Sequence, residues 1–223
     1  MIPGKNHNRV FSFGVLIAYC AAGVVAILRH AMWRDEVFPW LLARDSHSFR
    51  ELLINVRHDS GHLPLWHFLL WLVTRFTTNP VAEQILHLSI AALAVWLFLY
   101  YSPFSKTQKL LFAFGYFPLF EYCVVCRMYS IVWLLLFAFC ACFESRHRTY
   151  LPLAGILSLM ALTTTLGTVL ALAFAGALVL EARTHRPPRG DVLLSASVFA
   201  VALFLAAVFL WQHVDHPDVR ARG

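Results

Sequence analysis

The stretch VFSFGVLIAYCAAGVVAIL, Val10 to Leu28, runs into RHAMWRDEVFPWLLARDSHSFRELLINVRHDSGH, Arg29 to His62. The first piece carries no charge over 19 residues, the length at which an apolar helix crosses a hydrocarbon core. Lys5 and Arg9 precede it, which places its start in the cytoplasm. The run is longer than the apolar region of a signal peptide. Bulky Tyr19 directly before Cys20 also disfavours lipoprotein cleavage, so the segment reads as an uncleaved first span. The second piece is the longest polar stretch of the chain. Lying one span from a cytoplasmic start, it reads as an external loop.

Working outward, seven more apolar segments follow, at about 63–74, 83–101, 109–125, 130–143, 151–164, 166–180 and 192–211. Hydrophobic residues make up 60% of the chain and charged residues 13%, against about 25% charged in a soluble domain. With a mean hydropathy of +0.66, one globular core cannot absorb this much apolar surface, and lipid must solvate most of it. The expected fold is all-α: a polytopic transmembrane helix bundle over residues 1–223, with short interfacial helices in the loop at about 29–62. Only the first, third and last segments approach the ~20 residues of a perpendicular span, so the shorter ones are expected as half-length or re-entrant pieces.

Four basic clusters bracket the topology: Lys5 with Arg9, Lys106 with Lys109, Arg146 with Arg148, and Arg183 with Arg186 and Arg189. Each reads as cytoplasmic. In the loop from Arg29 to His62, five arginines meet five acids, so its charge is balanced. Either 63–74 inserts only partway and 151–180 forms a tight hairpin turning near Thr163-Thr164-Thr165-Leu166-Gly167, or one of the basic clusters faces outward. The net charge of +6 is scattered between apolar runs, and no soluble basic face exists to hold a nucleic acid. Of the five cysteines, Cys123-x-x-Cys126 has redox or zinc spacing. One pair without a second is a weak signal, and small buried apolar side chains are the simpler reading.

Within the loop, Ser48-x-x-Glu51 has the form of a capping box. Phe49, Leu52, Leu53 and Val56 follow at helical spacing, predicting a short helix lying in the membrane interface. Val37 to Ala43 is apolar, with Trp40 as an interfacial anchor.

Three groups could carry chemistry. Trp33-Arg34-Asp35-Glu36 sets two carboxylates beside a guanidinium at the end of the first span. Such carboxylates bind a metal, act as a base, or simply solvate a helix end. An apolar surround favours the base, and a guanidinium opposes it by holding the charge. The stretch from His58 to His67 holds His58, His62 and His67, but Gly61 and Pro64 break the register a metal cluster needs. Hydrogen bonding to a lipid phosphate or a carboxylate suits these histidines better. The third group is Arg127-Met128-Tyr129-Ser130, flanked by apolar sequence. An arginine there snorkels, pairs, or reaches a phosphate, and Glu121 and Tyr122 are its nearest candidate partners.

Taken in order, these residues resemble the GT-C superfamily of membrane glycosyltransferases. The chain shares an Asp-Glu pair after the first span, an interfacial helix, a Gly-His-x-Pro-Leu start to the next segment, and a later Arg-Met-Tyr before an apolar helix. The likeness runs through essentially the whole chain and is nearest to the bacterial protein O-mannosyltransferases and the lipid A aminoarabinose transferase. It implies transfer of a sugar from a polyprenyl-phosphate donor to an acceptor outside the bacterial inner membrane, with inversion. Asp35 would be the catalytic base or the carboxylate that orients the acceptor, supported by Glu36. Arg127, Tyr129, His62 and Arg34 would contact the donor phosphate or its lipid. No cofactor is required, although a divalent cation is compatible with the family. The chain departs from it at His62-Leu63-Pro64-Leu65, where His-Pro-Pro-Leu is usual. It departs again around Arg127, where Cys126 and Met128 stand and many relatives place an acid. Family members commonly run on into more spans, which implies an N-terminal part or a short form. Two other readings stay open: a non-catalytic membrane subunit with a partner protein, and a small transporter. The near absence of charge at mid-span beyond His87, Glu121 and Arg127 argues against the transporter.

Overall fold

A computed structural model describes residues 5–58, 62–185 and 188–211, with side chains described from residue 9 onward and not at 183–185. The described residues form ten α-helices and no strand. Five helical stretches are long and apolar enough to cross a membrane: Arg9–Ile27, Val81–Tyr101, Tyr129–His147, Thr165–Ala182 and Arg189–Trp211. Two of these are longer than the apolar runs at 130–143 and 166–180, because polar flanking residues join the helices. The segments at 63–74 and 151–164 stay short, as Pro64–Thr74 and Leu151–Ala161.

The chain divides into two compact units, residues 1–38 with 79–141 and residues 39–78 with 142–223. The division falls inside helix α2 (Arg34–Asp45), at Pro39. Proline has no N–H to return to the Asp35 carbonyl, so the helix ladder is weakened where the units part.

In the first unit, α1 (Lys5–Ile27) packs on α5 (Val81–Tyr101). Val15, Tyr19, Ala91, Ala94, Val95, Leu99, Cys123 and Trp133 form its core. Gly23 is where α1 comes closest. A Cβ there would stand 2.7 Å from Cys123 Sγ and 2.9 Å from a Leu88 methyl. The apolar segment at 109–125 is not one helix. Ser105 and Gln108 form a reciprocal capping box that starts α6 (Lys106–Ala113), which ends before Gly115. A π-turn at Phe117–Glu121 follows, with Pro118 near its start. This broken piece runs antiparallel to α5. Near one end Lys109 Nζ donates to the Leu99 carbonyl at 2.6 Å. Further along, Tyr19 Oη donates to the Pro118 carbonyl at 2.6 Å. At the far end the Arg127 backbone meets His87. Leu99 and His87 lie twelve residues apart on α5, or about 18 Å at 1.5 Å per residue. The broken piece therefore covers most of the length of a span before α7 (Tyr129–Cys142) begins.

In the second unit, α3 (Phe49–His58) packs on α4 (Pro64–Thr74). Leu52 and Val56 are buried and Leu53 is half-buried, as the apolar face predicts, whereas Phe49 at the start of the helix is exposed and packs on Phe68 and Trp71. Ser48 accepts from Glu51 N–H, but Glu51 reaches back to His47 N–H at 2.8 Å rather than to Ser48, so the cap is displaced by one residue. Arg75 donates to the Ala43 and Arg44 carbonyls and so satisfies the C-terminus of α2, as a basic side chain does at that end. Trp40 is buried, at 1% exposure, which corrects its reading as an interfacial anchor: its side of α2 is packed inside the protein. Helices α8 (Leu151–Ala161), α9 (Thr165–His185) and α10 (Arg189–Trp211) pack together. The α8–α9 turn at 162–164 is the expected hairpin. Asp191 ties its base, accepting from the Tyr150 N–H at 2.7 Å and from the Thr149 hydroxyl, while Arg146 pairs with Glu181 at 2.7 Å.

Candidate functional site

After α1, residues Leu28 to Trp33 turn the chain into α2. Trp33 is the cap, its carbonyl accepting from Glu36 and Val37 N–H. Glu36 stands three residues on and returns the favour, accepting from Trp33 N–H at 2.7 Å. This is the acidic half of a capping box, and the positive end of the helix dipole adds to it. The same carboxylate bonds His30 Nε2 at 2.9 Å and accepts from the Cys126 N–H at 2.7 Å. Glu36 is fully buried, and its three partners tie the loop after α1 to the loop before α7.

Asp35 faces the other way, with a side chain 68% exposed. Arg127 Nη2 donates to its Oδ2 at 2.9 Å. These two residues stand 92 apart in sequence, and the pair forms where Glu36 holds Cys126. Arg127 is not paired with Glu121 or Tyr122, the candidates nearest in sequence. Its Nε has no partner among the described residues, so the guanidinium keeps donors beyond the one given to Asp35. Arg34 is exposed on the same first turn of α2, and Tyr129 is partly exposed at the start of α7.

Two further polar residues of α5 complete the group. His87 is buried; its Nδ1 lies 3.2 Å from the Cys123 carbonyl oxygen, and its Nε2 lies 3.1 Å from the Arg127 carbonyl oxygen and 3.2 Å from the Arg127 nitrogen. The ring thereby clamps the backbone on both sides of Cys126. Glu83, in the first turn of α5, is fully buried, and neither carboxyl oxygen has a partner among the described residues. A glutamate at the third position commonly reaches back to the cap N–H, but the cap here is Pro80, which has none. Cys123 and Cys126 are both fully buried.

His30, Glu83 and His87 were not singled out from sequence as site residues. The signal for the last two was present: Glu83 and His87 are ionisable, lie four apart, and sit at the start of an apolar span. His62 belongs to the second unit, where its ring lies 5.7 Å from that of His67. Asp59, Ser60 and Gly61 of the same motif lie outside the described residues. Among the described residues no three His, Cys, Asp or Glu side chains gather as metal ligands. No family model, curated protein or solved structure matches this chain.

Proposed function

We propose that the chain is an integral membrane glycosyltransferase of the GT-C kind. It transfers a sugar from a polyprenyl-phosphate donor to an acceptor outside the bacterial inner membrane, and inverts the anomeric carbon. The observation that carries this reading is the Asp35–Arg127 pair. An exposed carboxylate and a guanidinium with spare donors meet at 2.9 Å, on a frame fixed by the buried Glu36. Asp35 accepts the proton of the acceptor hydroxyl as its oxygen attacks the anomeric carbon. The bond from that carbon to the phosphate oxygen breaks, and the polyprenyl phosphate leaves with the electron pair. Arg127 stabilises the charge gathering on the departing phosphate. Arg34 and Tyr129 add donors beside it. The basic clusters put the N-terminus in the cytoplasm, hence this site on the far side.

The test is transfer of labelled sugar from polyprenyl-phosphate donors in membranes holding the full chain. Asp35→Ala should lower turnover at least about a hundredfold, the usual range for loss of a positioned base, at undiminished membrane abundance. Unchanged transfer in that variant removes Asp35 from the chemistry. A second reading, a non-catalytic membrane subunit, draws on the same ion pair acting as a tie between loops. It expects Asp35→Asn to loosen a complex with a partner protein, and no donor to bind the isolated chain.

A further inference from the structure

We infer that the opposite end of the first unit holds a binding site for one anionic phospholipid, in the groove between α1 and the C-terminal end of α5. The inference rests on the membrane placement proposed above, and not on the glycosyltransferase chemistry. The groove encloses about 430 Å³ and is lined by Arg9, Val10, Ser12, Phe13, Trp96 and Tyr100. Its two ends differ in kind. Arg9 Nη2 donates to the Tyr100 hydroxyl oxygen at 3.2 Å. This leaves the remaining guanidinium donors and the Tyr100 O–H directed at whatever occupies the groove. Lys106 lies over Phe11, 5.4 Å from its ring, and is not part of the groove lining. Away from these, the wall is apolar: Val10 and Phe13 are exposed at 77% and 64%, and Trp96 stacks on Tyr100.

A guanidinium and a hydroxyl at the mouth of an apolar trough fit a phosphate carrying a hydrocarbon chain. The phosphate sits on Arg9 and Tyr100, and the first stretch of chain lies along Phe13 and Trp96. Ser12 and Lys109 do other work. Both donate to the Leu99 carbonyl, satisfying the frayed end of α5. The charge facing the groove is therefore basic, and no acid pairs with Arg9 among the described residues. Basic pockets between helices at the cytoplasmic face are favourable places for anionic head groups, and a bidentate guanidinium adds geometry to charge.

The test is native mass spectrometry of the detergent-purified full chain with phosphatidylglycerol, phosphatidylcholine or inorganic phosphate. The expected result is saturable binding of one phosphatidylglycerol. Arg9→Gln should weaken it about tenfold, the scale of one charge-assisted hydrogen bond. Trp96→Ala should weaken it too, because the trough is lost. Arg148→Gln removes the same charge elsewhere and should leave it unchanged. Equal losses in Arg9→Gln and Arg148→Gln would mean attraction by net charge alone and would overturn the site. Displacement by millimolar phosphate, or equal binding of phosphatidylcholine, overturns it as well. Alkaline carbonate extraction of membranes tests the membrane placement separately, so failure of that reading is distinguishable from failure of the lipid site.

Discussion

On a helix of 3.6 residues per turn, the step from Asp35 to Glu36 is about 100°, enough to send one carboxylate to solvent and the other inside. Removing Glu36 strands the buried Cys126 N–H and takes away the partner of the part-buried Trp33 N–H and His30 ring. Glu36→Ala should therefore cost about 3 kcal/mol or more, seen as a lower unfolding midpoint in detergent, while Asp35→Ala leaves that midpoint nearly unchanged. The opposite sign holds for Glu83, a buried carboxyl with no partner among the described residues. Glu83→Met should raise the midpoint by the equivalent of about 1–2 kcal/mol, since the desolvated group is removed and the volume kept. A drop would show that Glu83 is bonded in the working protein. Sequence exposed Asp35, Glu36 and Arg127 as charges stranded among apolar residues. It did not say which would be buried, nor that Arg127 would choose Asp35 over Glu121. Those outcomes depend on two loops about 90 residues apart in sequence being brought together, and local pattern carries no trace of that.

At the scale of elements, apolar runs located the helices well, but their ends less so. Tyr129–His147 outlasts its apolar run because Glu144 and Arg146 join the last turns, and Arg146 finds Glu181 there. The break at 114–121 was legible as Gly115 and Pro118 inside an apolar segment, although length alone suggested a span. The α8–α9 hairpin is the tightest of these joints. A Cβ on Gly167 would stand 2.6 Å from the Met160 carbonyl oxygen and closer still to Thr163 Oγ1. A backbone carbonyl at a helix end cannot move aside cheaply. Gly167→Ala should thus destabilise the chain by about 1–3 kcal/mol, despite alanine's advantage of about 1 kcal/mol inside a helix. Gly176→Ala, with open space around it, shows that propensity gain without the clash, and thermal unfolding of the two variants side by side separates the effects.

For the whole molecule, the basic clusters and the broken segment make one joint demand. If Lys106 lies in the cytoplasm with Arg9, and Arg127 meets Asp35 outside, then residues 106–127 must cross the membrane although no continuous helix does so there. Cysteine labelling with a membrane-impermeant maleimide reads this directly. Asp35→Cys and Met128→Cys should label from outside intact cells, and Lys106→Cys only after the membrane is opened. Native Cys123 and Cys126 are buried and give little background, whereas exposed Cys140 and Cys142 and half-buried Cys20 are first replaced by serine. Labelling of Lys106→Cys from outside would place both ends of the broken segment on one face. It would then be a re-entrant loop rather than a crossing, and the orientation drawn from the basic clusters would fall with it.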